Sequence, residues 1–102
     1  MADHVTFFRM KAQPGKRQAV IDQFAKWERD QKGKATGFLR SLVVVSNDGP
    51  DDLMAGVRWD SADNYRANSE RAEQGDWYQE LRAILAADPE WFDGTLALES
   101  LA

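Results

Sequence analysis

Phe38-Leu39-Arg40-Ser41-Leu42-Val43-Val44-Val45-Ser46, then Asn47-Asp48-Gly49-Pro50-Asp51-Asp52, then Leu53-Met54-Ala55-Gly56-Val57-Arg58-Trp59: two apolar runs around a polar turn cluster decide the fold. The first run is rich in β-branched residues and is the strongest strand signal in the chain. The cluster that follows has the length and composition of a hairpin loop. The second run alternates, with Leu53, Ala55, Val57 and Trp59 on one face and Met54, Gly56 and Arg58 on the other. Gly56 allows a bulge or a close approach. The stretch therefore predicts an antiparallel hairpin. Arg58, turned away from the Trp59 face, is expected at a seam between two copies of the chain, paired with an acidic residue of the other copy.

Working outward, Val5 to Lys11 also alternates, with Thr6, Phe8 and Met10 opposite Val5, Phe7 and Arg9. Gln13-Pro14-Gly15-Lys16 punctuates it, and Pro14 suits a turn or a first helical position. A helix is expected from Arg17 to about Lys32, with Val20, Ile21, Phe24 and Trp27 as its apolar stripe and Gly33 as its stop. After the hairpin, Ser61 is a good N-cap for a helix reaching about Ser69. Gly75-Asp76 is expected to interrupt it. A second helical piece then carries Trp77, Leu81, Ile84 and Leu85 on one stripe, and Asp88-Pro89 ends it. The alternation from Thr95 to Leu101 predicts a last strand.

The order β-α-β-β-α-β describes a single α+β domain over residues 1–102, ferredoxin-like, with a four-stranded antiparallel sheet covered by helices on one face. Apolar residues occur on both faces of the first three strands. The uncovered face needs a cover, and a second copy of the sheet is the simplest one, so a homodimer is expected.

Composition narrows the function. A chain of 102 residues, 43% hydrophobic and 29% charged, has room for one core and no regulatory domain. A net charge of −4 without a basic stripe argues against nucleic acid. With no cysteine and a single histidine, His4, thiol chemistry and a multi-histidine metal site are excluded within one chain. His4 reads as a solvated residue ahead of the first strand. No apolar run approaches the ~20 residues that cross a bilayer, and no secretion-signal pattern opens the chain, so no membrane partner and a cytoplasmic location are expected. Four Trp, five Phe and two Tyr are many for so polar a chain. They fill a core or line a pocket for a flat apolar ligand. The acidic hairpin tip Asp48, Asp51, Asp52 lacks the spacing of a calcium loop.

Four features, in order and spacing, go further: Gln13-Pro14-Gly15-Lys16, Thr36-Gly37-Phe38-Leu39, Trp59-Asp60-Ser61 and Tyr65. Together they resemble the antibiotic biosynthesis monooxygenase family over about Val5 to Ser100. The resemblance implies a dimeric α+β barrel. The haem-degrading branch fits poorly, because Asp76-Trp77-Tyr78-Gln79 holds no histidine, and Phe8 and Asn68 stand where that branch has asparagine and tryptophan. The branch that oxidises anthrone-type polyketides without a cofactor fits better. Its tryptophan and tyrosine match Trp59 and Tyr65, and its arginine matches Arg82 in Glu80-Leu81-Arg82 when two residues are inserted near Gln74-Gly75. Its asparagine falls at Ala55, a departure.

The resemblance thus implies a monooxygenase with no cofactor and no metal, acting on an aromatic polyketide or hydroquinone-like molecule. Trp59, Tyr65 and Arg82 are its expected catalytic residues, and Phe24, Trp77 and Tyr78 its substrate-binding walls. Dioxygen reacts slowly with closed-shell organics, but an electron-rich phenolate or enolate can pass it one electron. The protein's task is to hold the substrate and favour its anion. Trp59 can donate through its N–H and Tyr65 through its hydroxyl, and Arg82 could balance the anion's charge. None of the three is a general base near neutral pH. Ala55 favours the alternative, a non-catalytic or stress-response domain that binds small apolar molecules.

Overall fold

The computed structural model describes residues 2–102. Four strands, β1 (His4–Lys11), β2 (Phe38–Val45), β3 (Asp52–Trp59) and β4 (Glu90–Thr95), form one antiparallel sheet in the order β2-β3-β1-β4. Helices α1 (Arg17–Asp30), α2 (Ala62–Ser69) and α3 (Ala72–Ala83) complete the chain. This is the ferredoxin-like α+β arrangement that the hairpin and its flanks predict.

The pleat of β1 sorts the molecule into faces. Thr6, Phe8 and Met10 point into the core and are 1%, 6% and 2% exposed, while Phe7, Arg9 and Lys11 are exposed on the other side. On β3 the core residues are Leu53, Ala55 and Trp59, and the helices contribute Val20, Trp27, Trp77 and Leu81. The outer face carries a row of cross-strand partners, Leu42–Gly56–Phe7–Phe92, spanning all four strands. A Cβ on Gly56 would stand 2.9 Å from the Phe7 ring, so glycine lets that ring lie on the sheet.

Local signals explain most boundaries. The Ser61 hydroxyl accepts from the Asn64 N–H at 3.1 Å and caps α2. Gly37 has φ +83°, and a Cβ there would collide with the side chains of Asp60 and Asn64, which hydrogen-bond each other at 2.7 Å. Its carbonyl accepts from the Asp60 N–H at 2.9 Å, tying the start of β2 to the end of β3. Gly37→Ala is therefore expected to cost at least about 1–2 kcal/mol from the left-handed backbone alone, read from the urea midpoint. An unchanged midpoint would show that this corner is not under constraint.

Five expectations need correction. Gly75 and Asp76 lie inside α3. The break falls earlier, where extended Arg71 leaves the helix and its guanidinium donates to Asn68 Oδ1 at 2.9 Å and Gln31 Oε1 at 2.8 Å. α1 ends at Asp30, before Gly33, and passes into a 3₁₀ turn, Lys32–Lys34. The last strand is Glu90–Thr95, and the Leu96–Leu101 alternation lies beyond it. Its one neighbour, β1, begins with His4 opposite Thr95, and past that pair the Leu96 N–H still donates to the Asp3 carbonyl at 2.9 Å before the chain leaves the sheet. Arg58 finds its partners in its own chain, Asp3 Oδ2 at 2.7 Å and Glu99 Oε2 at 2.6 Å. His4 is the first residue of β1, with its side chain only 11% exposed.

Candidate active site

Between the inner sheet face and the helices lies a cavity of about 370 Å³. That size suits a small aromatic ligand. Its walls are aromatic for a reason visible in the strands. Phe8, Phe38, Trp59 and Trp91 project inward from β1, β2, β3 and β4, and meet Phe24 and Trp27 of α1 and Trp77 and Tyr78 of α3. The rings contact in series. Phe8 is 4.7 Å from Trp91 and 5.9 Å from Phe24, Phe24 meets Trp77 edge-on at 5.2 Å, and Phe38 lies 5.0 Å from Trp27 and 5.6 Å from Trp59. The edge-to-face pairs among these, Phe24 with Trp77 and Phe38 with Trp27 and Trp59, fix ring orientation.

The polar groups on the wall separate into spent and unspent. The Trp27 N–H donates to Gln74 Oε1 at 2.6 Å, and the Trp77 N–H donates to the Gln23 carbonyl at 2.8 Å. Trp59, 2% exposed, is different. Among the described residues its Nε1 is the buried side-chain polar atom without a partner. An unpaired buried donor costs about 1–3 kcal/mol. Beside it, edge-on at 6.0 Å, stands Tyr65. Burial pushes the Tyr65 hydroxyl above the usual tyrosine range, the Thr6 hydroxyl opposes this, and the Asp93 charge adds to it. Tyr65 thus stays protonated as a donor. Asp93 of β4 completes this end of the cavity.

The structure brings together Trp59, Tyr65, Phe24, Trp77 and Tyr78, all of which line the cavity. It does not bring Arg82 to them. Arg82 Nε donates to Asp88 Oδ1 at 2.6 Å and Nη1 to the Leu85 carbonyl at 3.2 Å, so the guanidinium is held at the C-terminal end of α3, away from the wall. Arg82→Ala is expected to leave ligand affinity unchanged in a calorimetric titration and to lower stability by no more than about 1 kcal/mol, the upper worth of a surface ion pair. A marked affinity loss would place the arginine in the site after all. Sequence reasoning missed Asp93 and Trp91 on the cavity wall, and Thr6 and His4, which are hydrogen-bonded in series behind Asp93. The inward alternation of Thr6 was the available signal for part of this group.

The family model for the antibiotic biosynthesis monooxygenase domain matches residues 4–80. No curated protein matches the sequence significantly. Among solved structures, the chain is similar to the ActVA-Orf6 monooxygenase of Streptomyces coelicolor in complex with nanaomycin D. The identity is 17%, the TM-score 0.86, and 99% of this chain and 93% of that one are covered. It is also similar to a mutant of SnoaB, a cofactor-independent oxygenase from Streptomyces nogalater, at 18% identity and TM-score 0.81, covering 99% and 98%. A protein of unknown function from Nitrosomonas europaea shares 17% identity at TM-score 0.79, covering 100% and 96%. At these identities the likeness to each is one of fold. The family match spans most of the chain and includes β1, the hairpin and the Trp59–Tyr65 end of the cavity, and so the chain belongs to the antibiotic biosynthesis monooxygenase family.

Proposed function

We propose that the protein is a cofactor-independent monooxygenase that oxidises an anthrone-type or hydroquinone-like aromatic compound in this cavity. The observation that carries the reading is an aromatic slot of about 370 Å³ whose hydrogen-bonding groups, Trp59 and Tyr65, stand beside Asp93 at one end. A merely apolar cleft would hold a flat molecule but not orient its oxygens. Phe24, Trp77 and Tyr78 clamp the rings. Tyr65 donates to the substrate's oxygen, and a small ring displacement gives the Trp59 N–H its missing acceptor. The bound molecule loses a proton to become an enolate or phenolate and passes one electron to dioxygen, and the two radicals combine into a C–O bond. For an anthrone, one oxygen atom becomes the new carbonyl. The other leaves as water with the two methylene hydrogens, so dioxygen is the only oxidant. Support comes from the family and from a solved relative of like fold that holds nanaomycin D. Turnover of an anthrone under heavy-isotope dioxygen is expected to give a quinone with one labelled oxygen. Label arriving from water instead would refute an oxygenase.

Ala55, whose methyl lines the cavity where the anthrone oxidisers carry asparagine, favours a second reading in which the cavity binds an aromatic molecule without turning it over. Saturable binding without oxygen uptake would select it.

The working unit is a homodimer built on the outer sheet face. Phe7, Leu42, Val44, Met54 and Phe92 are 44%, 47%, 53%, 38% and 68% exposed there, on one continuous face whose strands are already paired. So much apolar area on one face marks an interface. Phe7→Glu, at the middle of the Leu42–Gly56–Phe7–Phe92 row, is expected to halve the mass seen by light scattering. A monomeric parent chain would overturn this assembly.

A further inference from the structure

At the polar end of the cavity four side chains from three elements meet. Thr6 of β1 stands directly opposite Asp93 of β4, and His4 lies on the same face of β1, two residues earlier. The Thr6 hydroxyl donates to Asp93 Oδ1 at 2.7 Å, His4 Nε2 lies 2.8 Å from Thr6 Oγ1, and His4 Nε2 and Asp93 Oδ1 are 3.6 Å apart. The His4 ring stacks on Tyr65 with centroids 4.4 Å apart and planes 23° apart. Thr6 is 1% exposed, and of the three hydrogen-bonded side chains Asp93, 55% exposed, is the one that reaches the cavity wall. A threonine between a carboxylate and an imidazole has no packing advantage over valine. Its hydroxyl has one proton and two lone pairs, so it can pass a proton in either direction.

We propose that Asp93, Thr6 and His4 form the proton-accepting relay of this cavity. The inference rests on the reading of the cavity as an aromatic oxidation site, and it supplies the base that Trp59 and Tyr65 cannot provide. With Nε2 of His4 unprotonated, the Thr6 proton points at Asp93 Oδ1 until Asp93 itself is protonated, and only then turns to Nε2. The substrate's acidic bond breaks, O–H in a hydroquinone or the methylene C–H in an anthrone, its electron pair stays on the substrate as phenolate or enolate, and the proton goes to Asp93. Asp93 returns a proton to Thr6 as Thr6 gives its own to His4 Nε2, so an N–H bond forms and Thr6 and Asp93 end as they began. The imidazole then donates to Thr6 and Thr6 donates to Asp93, the bonds seen between these groups. The groups that face His4 are these: Asp93 from β4, Tyr65 from α2, and the neutral partners Trp59 on β3 and Thr95 on β4. Asp93 touches the substrate. Thr6 and His4 act through it.

The test is anaerobic exchange of the methylene hydrogens of an anthrone with heavy water, which reads the rate of proton removal without oxidation. The intact protein should catalyse saturable exchange above the spontaneous rate at neutral pH. His4→Gln, Thr6→Val and Asp93→Asn should each slow it by on the order of a hundredfold while saturable binding persists. Thr6→Ser, which keeps the hydroxyl, should restore the parent rate. A threonine that only packs could be replaced by valine without loss, so the contrast between valine and serine reads the relay itself. Unchanged rates across the variants overturn the relay and leave the cavity reading standing. Absence of saturable binding to the parent protein by anthrone and by unsubstituted anthraquinone overturns both.

Discussion

Leu81→Ala should lower the unfolding free energy by about 2–5 kcal/mol, a large share of the 5–15 kcal/mol that holds a domain together. Leu81 is fully buried on the inward stripe of α3, one turn after Trp77, and forms part of the cavity wall. The deletion removes apolar surface from the core and widens a space that the aromatic rings cannot collapse into, since their edge-to-face contacts fix them. Volume-conserving Leu81→Met should cost less than about 1.5 kcal/mol. Urea unfolding of the two variants separates the packing term from the general sensitivity of α3. A loss under about 1 kcal/mol for the alanine variant would mean that α3 is not seated on the sheet as described.

Trp59→Phe should separate binding from folding. Two stability terms oppose each other. Removing the sealed, unpaired N–H recovers part of its desolvation cost, and losing the second ring leaves a void. The net change should stay within about 1 kcal/mol, far below that of Leu81→Ala. Affinity for an aromatic ligand with a carbonyl or phenolic oxygen should fall by about tenfold, the worth of one buried hydrogen bond. Affinity for a hydrocarbon of the same shape should hardly move. Titration calorimetry with such a pair reads the difference directly. Equal losses for both ligands would show that Trp59 contributes bulk alone.

The hairpin, the first strand and the N-cap at Ser61 were legible because each rests on a local rule: period-two alternation, turn chemistry, or a hydroxyl that reaches back to an amide. Trp59, Tyr65, Phe24, Trp77 and Tyr78 were legible as residues facing the interior, where they line the cavity, because they lie on predicted inward stripes or in motifs resembling the family's. The misplacements have tertiary causes. Glu90–Thr95 looks poor as a strand, with Glu90, Asp93 and Gly94 in six residues, and it forms because β1 offers a ladder there. Placing that strand late hid Asp93 and Trp91. His4 was read as solvated because its burial depends on α2 bringing Tyr65 over it, a contact 61 positions away. Arg82 matched by its neighbours in sequence, but Asp88, six residues on, draws its guanidinium away from the cavity.

Oxygen consumption by metal-stripped protein, measured against a panel of anthrones and hydroquinones, bears on the whole reading at once. Saturable, protein-dependent uptake, reduced in the Trp59→Phe variant and untouched by Arg82→Ala, is the expected result. Uptake no faster than the spontaneous rate across the panel would contradict it and leave a cavity that binds aromatic molecules without oxidising them.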